Sequence, residues 1–275
     1  MYCQFYGLKE KPFNVTSDPA FFFFSRKHKD ALAHLKYGVT QRKGIIVITG
    51  EIGTGKTTLC RFFLNQLEKN VKTALILNPY LPEIQLLEAI VSDFGVVLKD
   101  KSRLSLISEF NKFLLSESEC GNNVTLIIDE AQNLKTHQLE QVRLLSNLET
   151  QKNKLLQIIL VGQPELNRKL DQYDLRQLQQ RITVRYHMTP LDQDEVIRYI
   201  EHRLNIASGS IERIDFSDEA LKMIYDFSGG VPRLINIICD RALLAAFVDE
   251  SRKITSDTIK KCQEELGAYF VGERQ

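Results

Sequence analysis

The sequence has 275 residues, 43% of them hydrophobic and 26% charged, with a net charge of +1. That is enough chain for one large core or two small ones, and the near-neutral balance argues against a broad electrostatic footprint for nucleic acid or an anionic membrane. Five scattered cysteines (Cys3, Cys60, Cys120, Cys239, Cys262) with no C-x-x-C pair exclude a disulfide scaffold or a zinc site and suit a reducing cytosol; no window approaches 18 uncharged apolar residues, so no spanning helix is expected.

Residues 1–25 combine Gly7, Pro12 and Pro19 with many aromatics, including the run Phe21–Phe24. This reads as an irregular, extended leader whose rings either plug the edge of a core or wall a base pocket. Ser25 caps a helix from Arg26 to about Val39, with Ala31, Leu32, Leu35 and Val39 as its apolar face. Between residues 9 and 43 eight lysines and arginines face three acids, an excess that a solvated face explains more simply than a polyanion site.

The apolar run Ile45–Thr49 leads into Gly50-Glu51-Ile52-Gly53-Thr54-Gly55-Lys56-Thr57, then into a helical pattern from Thr58. This is G-x-x-x-x-G-K-[ST] in its strand–loop–helix setting, a loop whose backbone amides and lysine cradle phosphates. Four further strand-like runs follow, at 73–77, 124–128, 156–161 and 183–186, with helical patterns at about 83–95, 102–118 and 136–150. Continuous apolar strands alternating with helices predict a five-stranded parallel sheet covered on both faces, with chemistry at the carboxyl ends of the strands.

The residues after each strand are therefore the candidates. Asp129-Glu130 closes the third strand: Asp129 suits a magnesium ion shared with the Thr57 hydroxyl, and Glu130 suits a base that orients a water. Alone, the pair could simply cap the next helix. Gln163 follows the fourth strand and could reach a γ-phosphate or its attacking water, although Gly162 and Pro164 also make a turn there. Arg176 and Arg181 precede the fifth strand, where an arginine could reach a neighbouring subunit's phosphate or simply face solvent.

From Thr189 the pattern is helical without strands. Helices are expected from Asp192 to Ala207, where Gly209 breaks the pattern, then from Ser217 to Gly229-Gly230, from Pro232 to Val248, and from Thr255 or Ser256 to about Leu266. Arg233 stands in a helical first turn, where the dipole disfavours a cation, so an external anion is a natural partner. Residues 1–190 thus form an α/β nucleotide-binding domain with its leader, 191–268 a small all-α lid, and 269–275 a tail.

In this order the motifs resemble the AAA+ ATPase superfamily, and within it the family of general secretion pathway protein A. The marks are Phe5-Tyr6-Gly7-Leu8 with Pro12-Phe13, the phosphate loop with Thr58-Leu59, Asp129-Glu130-Ala131-Gln132, Gly162-Gln163-Pro164-Glu165-Leu166, Gln180-Arg181-Ile182 and Gly229-Gly230-x-Pro232-Arg233. The resemblance implies ATP and Mg2+ as ligands. Gly50, Glu51, Gly53, Thr54, Gly55 and Thr58 would join Lys56 around the phosphates, with the metal on Thr57 and Asp129. Glu130 would be the base, Gln163 the first sensor (more often Asn in the wider superfamily), Arg181 the arginine finger and Arg233 the second sensor. It also implies ATP held between the α/β part and the lid, a homo-oligomer, and partners in inner-membrane secretion, pilus or polysaccharide export machinery, with the chain cytoplasmic or peripheral at the inner membrane. Larger members of the family continue into a membrane segment and a peptidoglycan-binding part, neither of which occurs in these residues.

Two rivals share the loop. A DNA-binding adaptor ATPase of transposition type fits the basic excess at 9–43 but is not favoured by the neutral overall charge. A small-molecule kinase is opposed by the Asp129-Glu130 pair, which suits a water nucleophile, and by the helical lid.

Overall fold

The computed structural model describes residues 2–16, 18–98, 100–150, 153–208 and 214–271. The chain divides into two compact units, one of Arg26–Glu51 with Leu59–Met188, the other of Met1–Ser25, Ile52–Thr58 and Thr189–Gln275.

After the short leader helix α1 (Tyr2–Phe5), the first of these units opens with α2 (Arg26–Thr40) and β1 (Ile45–Gly50). It continues through α3 (Lys56–Asn65), whose first residues group with the other unit, β2 (Val71–Ile76), α4 (Glu83–Asp93), α5 (Arg103–Glu119) and β3 (Asn123–Ile128). Then come α6 (Thr136–Leu145), β4 (Gln157–Gly162), the short α7 (Glu165–Leu170) and α8 (Arg176–Gln179), and β5 (Ile182–Met188). The five strands form one parallel sheet in the order β2-β3-β4-β1-β5. β1 and β4 are buried along their whole length, as a strand covered on both faces must be. Ile45, Val47, Leu126, Ile128, Ile158 and Leu160 pack into one core with residues of α4 and α5 such as Ile90 and Phe110.

The expected strands are all present, with β2 beginning two residues early. Helix α6 stops at Leu145 instead of about 150. There the Ser146 hydroxyl donates to the Arg143 carbonyl at 2.7 Å, a local bond that competes with the helical ladder. Two short helices, α7 and α8, stand in a stretch to which the sequence reading assigned no element.

The second unit holds α9 (Gln193–Ala207), β6 (Asp215–Phe216), α10 (Asp218–Ser228), α11 (Pro232–Val248), β7 (Lys253–Ile254) and α12 (Ser256–Val271). Asp192 caps α9 in a reciprocal box with Glu195, and Ser217 caps α10. The expectation of helices without strands is corrected by β6 and β7, which pair in parallel over two residues. Helix α12 runs to Val271, so the expected tail is partly helical; residues 272–275 and the expected break at Gly209 lie outside the described residues. Among the described residues no helix is long and apolar enough to cross a membrane.

The leader packs within this helical unit, whereas its sequence position attaches it to the α/β part. Tyr6 and Phe13 are buried among Tyr199, Ile235 and Leu243, and the Tyr6 hydroxyl donates to the Leu243 carbonyl at 3.1 Å. Arg203, 5% exposed, ties the two parts of the unit together. Its guanidinium donates to the carbonyls of Pro12 (2.5 Å) and Asn14 (3.0 Å) and to the Tyr199 hydroxyl (2.9 Å), and lies 4.9 Å from the Phe21 ring. The leader rings therefore plug a core, the first of the two readings open to the sequence.

Arg203→Leu removes those donors and strands two carbonyls. We expect a loss of about 2–5 kcal/mol in chemical unfolding and faster amide exchange through the leader; unchanged leader exchange would show that Arg203 does not anchor it.

Candidate functional site

Strand β1 delivers its last residue, Gly50, to the loop, and α3 starts at Lys56, 7% exposed. Gly53 and Gly55 both have positive φ, +82° and +92°, a conformation that places successive amides around an anion at the start of a helix. At Gly53 the lack of a side chain also makes room: a Cβ there would lie 2.6 Å from the Cβ of Arg233. The Arg233 amide donates to the Gly53 carbonyl at 3.3 Å. Thus the first turn of α11 touches the middle of this loop within one unit, and the arginine placed against its helix dipole stands next to the glycines of positive φ.

The other candidates lie along the carboxyl edge of the sheet. Ile128 of β3 is opposite Leu160 of β4, and Gly162 of β4 is opposite Thr49 of β1. The ends of β3, β4 and β1 therefore emerge side by side, bearing Asp129-Glu130, Gln163 and Gly50. Asp129, 2% exposed, still donates its amide to the Ile76 carbonyl (2.8 Å) and accepts the Glu130 amide on Oδ1 (2.9 Å). The chain then turns sharply: Glu130 sits at φ +50° before a single 3-10 turn, Ala131–Asn133. A left-handed residue that is not glycine is strained by about 1 kcal/mol or more, and the strain aims its side chain along the sheet edge.

Two amides receive that carboxylate. Gln132 Nε2 donates to Glu130 Oε2 at 2.5 Å, and Gln163 Nε2 donates to the same oxygen at 3.3 Å. Gln132 Oε1 in turn accepts the Gln163 backbone amide at 3.0 Å. Lys169 of α7 fixes the turn from below, its ammonium donating to the carbonyls of Gln132 (2.6 Å) and Leu134 (2.8 Å); burial pushes its pKa down. Sequence reasoning quoted Gln132 within a motif but gave it no role. The available signal was an amide two residues past the acid pair, facing a strand that ends in glycine. Gly162 is that glycine: a Cβ there would lie 2.8 Å from Gln132 Oε1 and 3.3 Å from the Gln132 amide nitrogen.

The two arginines before β5 differ in setting. Arg176 opens α8 and stacks over the Tyr173 ring at 4.2 Å. Arg181 directly precedes β5, at the amino edge of the sheet. At about 3.3 Å per residue, that is roughly 20 Å from the carboxyl edge of the same unit, so Arg181 does not join Glu130 and Gln163 within this unit.

The known proteins that resemble this chain agree with the geometry. Residues 39–170 match the family described as AAA domain. The ORC2 protein of Aeropyrum pernix, solved in ADPNP–ADP complexes, superposes with a TM-score of 0.68 at 17% identity, covering 94% of this chain and 72% of that one. The RuvB Holliday junction branch migration motor of Thermotoga maritima gives a TM-score of 0.56 at 19% identity, covering 87% and 68%. At those identities the likeness is one of fold, the same core that the AAA domain match over residues 39–170 describes. Over nearly its whole length the chain is similar to General secretion pathway protein A of Aeromonas hydrophila, 46% identical over 272 residues and 98% of this chain. It spans 48% of that relative's length.

Gly162→Ala should cost about 1–3 kcal/mol by overpacking and displace the Gln132 side chain. Unfolding midpoints and exchange of the Gln163 amide read the two effects; if neither moves, Gln132 is not held against this strand end.

Proposed function

We propose that the chain binds ATP with Mg2+ and hydrolyses it, working as an oligomeric AAA+ motor or switch. The observation that carries this is the shared hold of Gln132 and Gln163 on the Glu130 carboxylate, on strand ends beside the one that feeds the phosphate loop. A base must be fixed within hydrogen-bond reach of the water it activates, and Oε2 is fixed by two amides. Lys56 and the loop amides bind the phosphates, with Gly50, Glu51, Gly53, Thr54, Gly55 and Thr58 shaping the cradle. Thr57 and Asp129 offer a hydroxyl and a buried carboxylate, the hard oxygen donors magnesium takes; when bound, the ion offsets phosphate charge. Gln163 has one amide to share between Glu130 and the γ-phosphate, which would let it report whether that phosphate is present. Arg233 serves as second sensor on a helical lid of residues 191–268.

Arg181, at the far edge of its sheet from Glu130, serves a neighbouring copy's nucleotide. The similarity to General secretion pathway protein A supports a role in assembling a bacterial envelope secretion, pilus or polysaccharide export system, at the cytoplasmic face of the inner membrane.

Lys56→Ala should weaken ATP binding at least tenfold. Glu130→Gln should keep binding while lowering turnover by about 10²–10⁴-fold, measured as phosphate release with and without duplex DNA. Wild-type turnover in Glu130→Gln would sink the base assignment, and strong stimulation by DNA would favour the adaptor reading instead. Arg181→Ala should leave ATP affinity nearly intact and remove most turnover, up to about 10³-fold. Mixing it with Lys56→Ala should restore part of the rate; no rescue at any ratio would remove the shared site.

A further inference from the structure

At the amino edge of the α/β unit lies a cavity of about 610 Å3, lined by Lys43, Arg143, Lys154 and Arg181 together with Gln177 and Gln180. Lys43 leads into β1, Lys154 into β4 and Arg181 into β5, and these three strands are neighbours. The cavity is thus at the opposite end of the sheet from Gly50, Asp129 and Gln163. Among the described residues that line it there is no acidic and no aromatic side chain, and the one apolar side chain, Ile45, is fully buried.

Two acids stand behind the rim. Glu140 accepts from Arg143 Nε at 2.7 Å, and Glu149 pairs with Lys154. Lys154 holds the Glu149 carboxyl below its usual range, and the charge of Arg181 adds to the effect. Each acid occupies one cation, so the four lining cations keep an excess of two. Arg143 spends its Nε on Glu140, which orients the guanidinium and leaves four further N–H donors.

A concave site of this volume is in the range of small-ligand pockets. Without an aromatic face it has nothing to stack on a base; with two arginines it has the forks that match phosphate oxygens. We propose that this cavity is a second phosphate site, taking the di- or triphosphate group of a ligand by charge and bidentate hydrogen bonding alone. The group has two sources, a free polyphosphate or the triphosphate of a nucleotide held by a second copy, and only the second rests on the function proposed above. In that case Arg143, Lys154 and Lys43 would share with Arg181 the reception of the neighbour's nucleotide.

The test uses the full chain carrying Lys56→Ala, with inorganic tripolyphosphate as probe, titrated by calorimetry at about 50 mM and 200 mM salt. We expect binding that weakens with salt and falls at least tenfold when Arg143→Gln and Lys154→Gln are added. Should that variant fold poorly by circular dichroism, Lys43→Gln with Lys154→Gln serves instead. Equal affinity with and without the added substitutions would overturn the proposal. So would the absence of binding to Lys56→Ala at millimolar probe, or capture of duplex DNA by the cavity cations without tripolyphosphate competing. The source is read by sedimentation with a non-hydrolysable ATP analogue. Association of analogue-loaded wild type that Arg143→Gln with Lys154→Gln abolishes assigns the group to a second copy, and probe binding independent of protein concentration assigns it to free ligand. If Lys56→Ala alone binds ATP as the wild type does, the phosphate-loop reading fails, while dependence on Arg143 and Lys154 still reports on the cavity.

Discussion

The parallel pairing of β3, β4 and β1 is the constraint on which the candidate site depends. Because β4 lies between the other two, the residue that follows it falls between the acid pair that ends β3 and Gly50, the end of β1. Gln163 can therefore reach Glu130 at 3.3 Å although 33 residues separate them. A slip of one residue in this ladder would turn each strand-end side chain to the other face of the sheet. The buried faces of β1 and β4 prevent such a slip, since every residue of both strands is packed. Apolar packing in the middle of the sheet thus sets the position of polar groups at its end.

The same physics decides what could be read from the sequence. Strands β1, β3 and β4 are legible because burial on both faces requires unbroken apolar runs, and Lys56 and Asp129-Glu130 stand out as candidates because phosphate and metal chemistry would require fixed residue types. The five-stranded parallel fold followed from the first of those signals. The ladder of β6 and β7 was not legible: a strand of two residues has no period. Helices α7 and α8 are shorter than the window that reveals helical periodicity. Gln132 escaped because its importance lies in a partner 31 residues away, the Gln163 amide, which its place two residues past the acid pair does not by itself reveal. Likewise, Arg176 and Arg181 are equivalent in spacing and separate only in three dimensions, one stacked on Tyr173 and the other beside three further cations.

The helical unit is held by a different economy. Its core contains few charged groups, and the buried Arg203 is stable there because each direction of its guanidinium meets a carbonyl, a hydroxyl or an aromatic face. Tyr199 extends the network, donating to Asn236 of α11 at 2.8 Å. The leader's carbonyls and rings complete what α9 and α11 leave open.

That arrangement places an evolutionary demand on the two ends of the chain. Leader and helices are encoded almost 200 residues apart, yet Tyr6 and Phe13 share one core with α9 and α11, and Phe21 lies under the Arg203 guanidinium. Substitutions in one segment must be answered in the other, and a recombination event that exchanged the leader alone would join two half-cores that do not fit. Among relatives the first two dozen residues should therefore be inherited with the last eighty, as one cassette split by the sheet that lies between them in sequence.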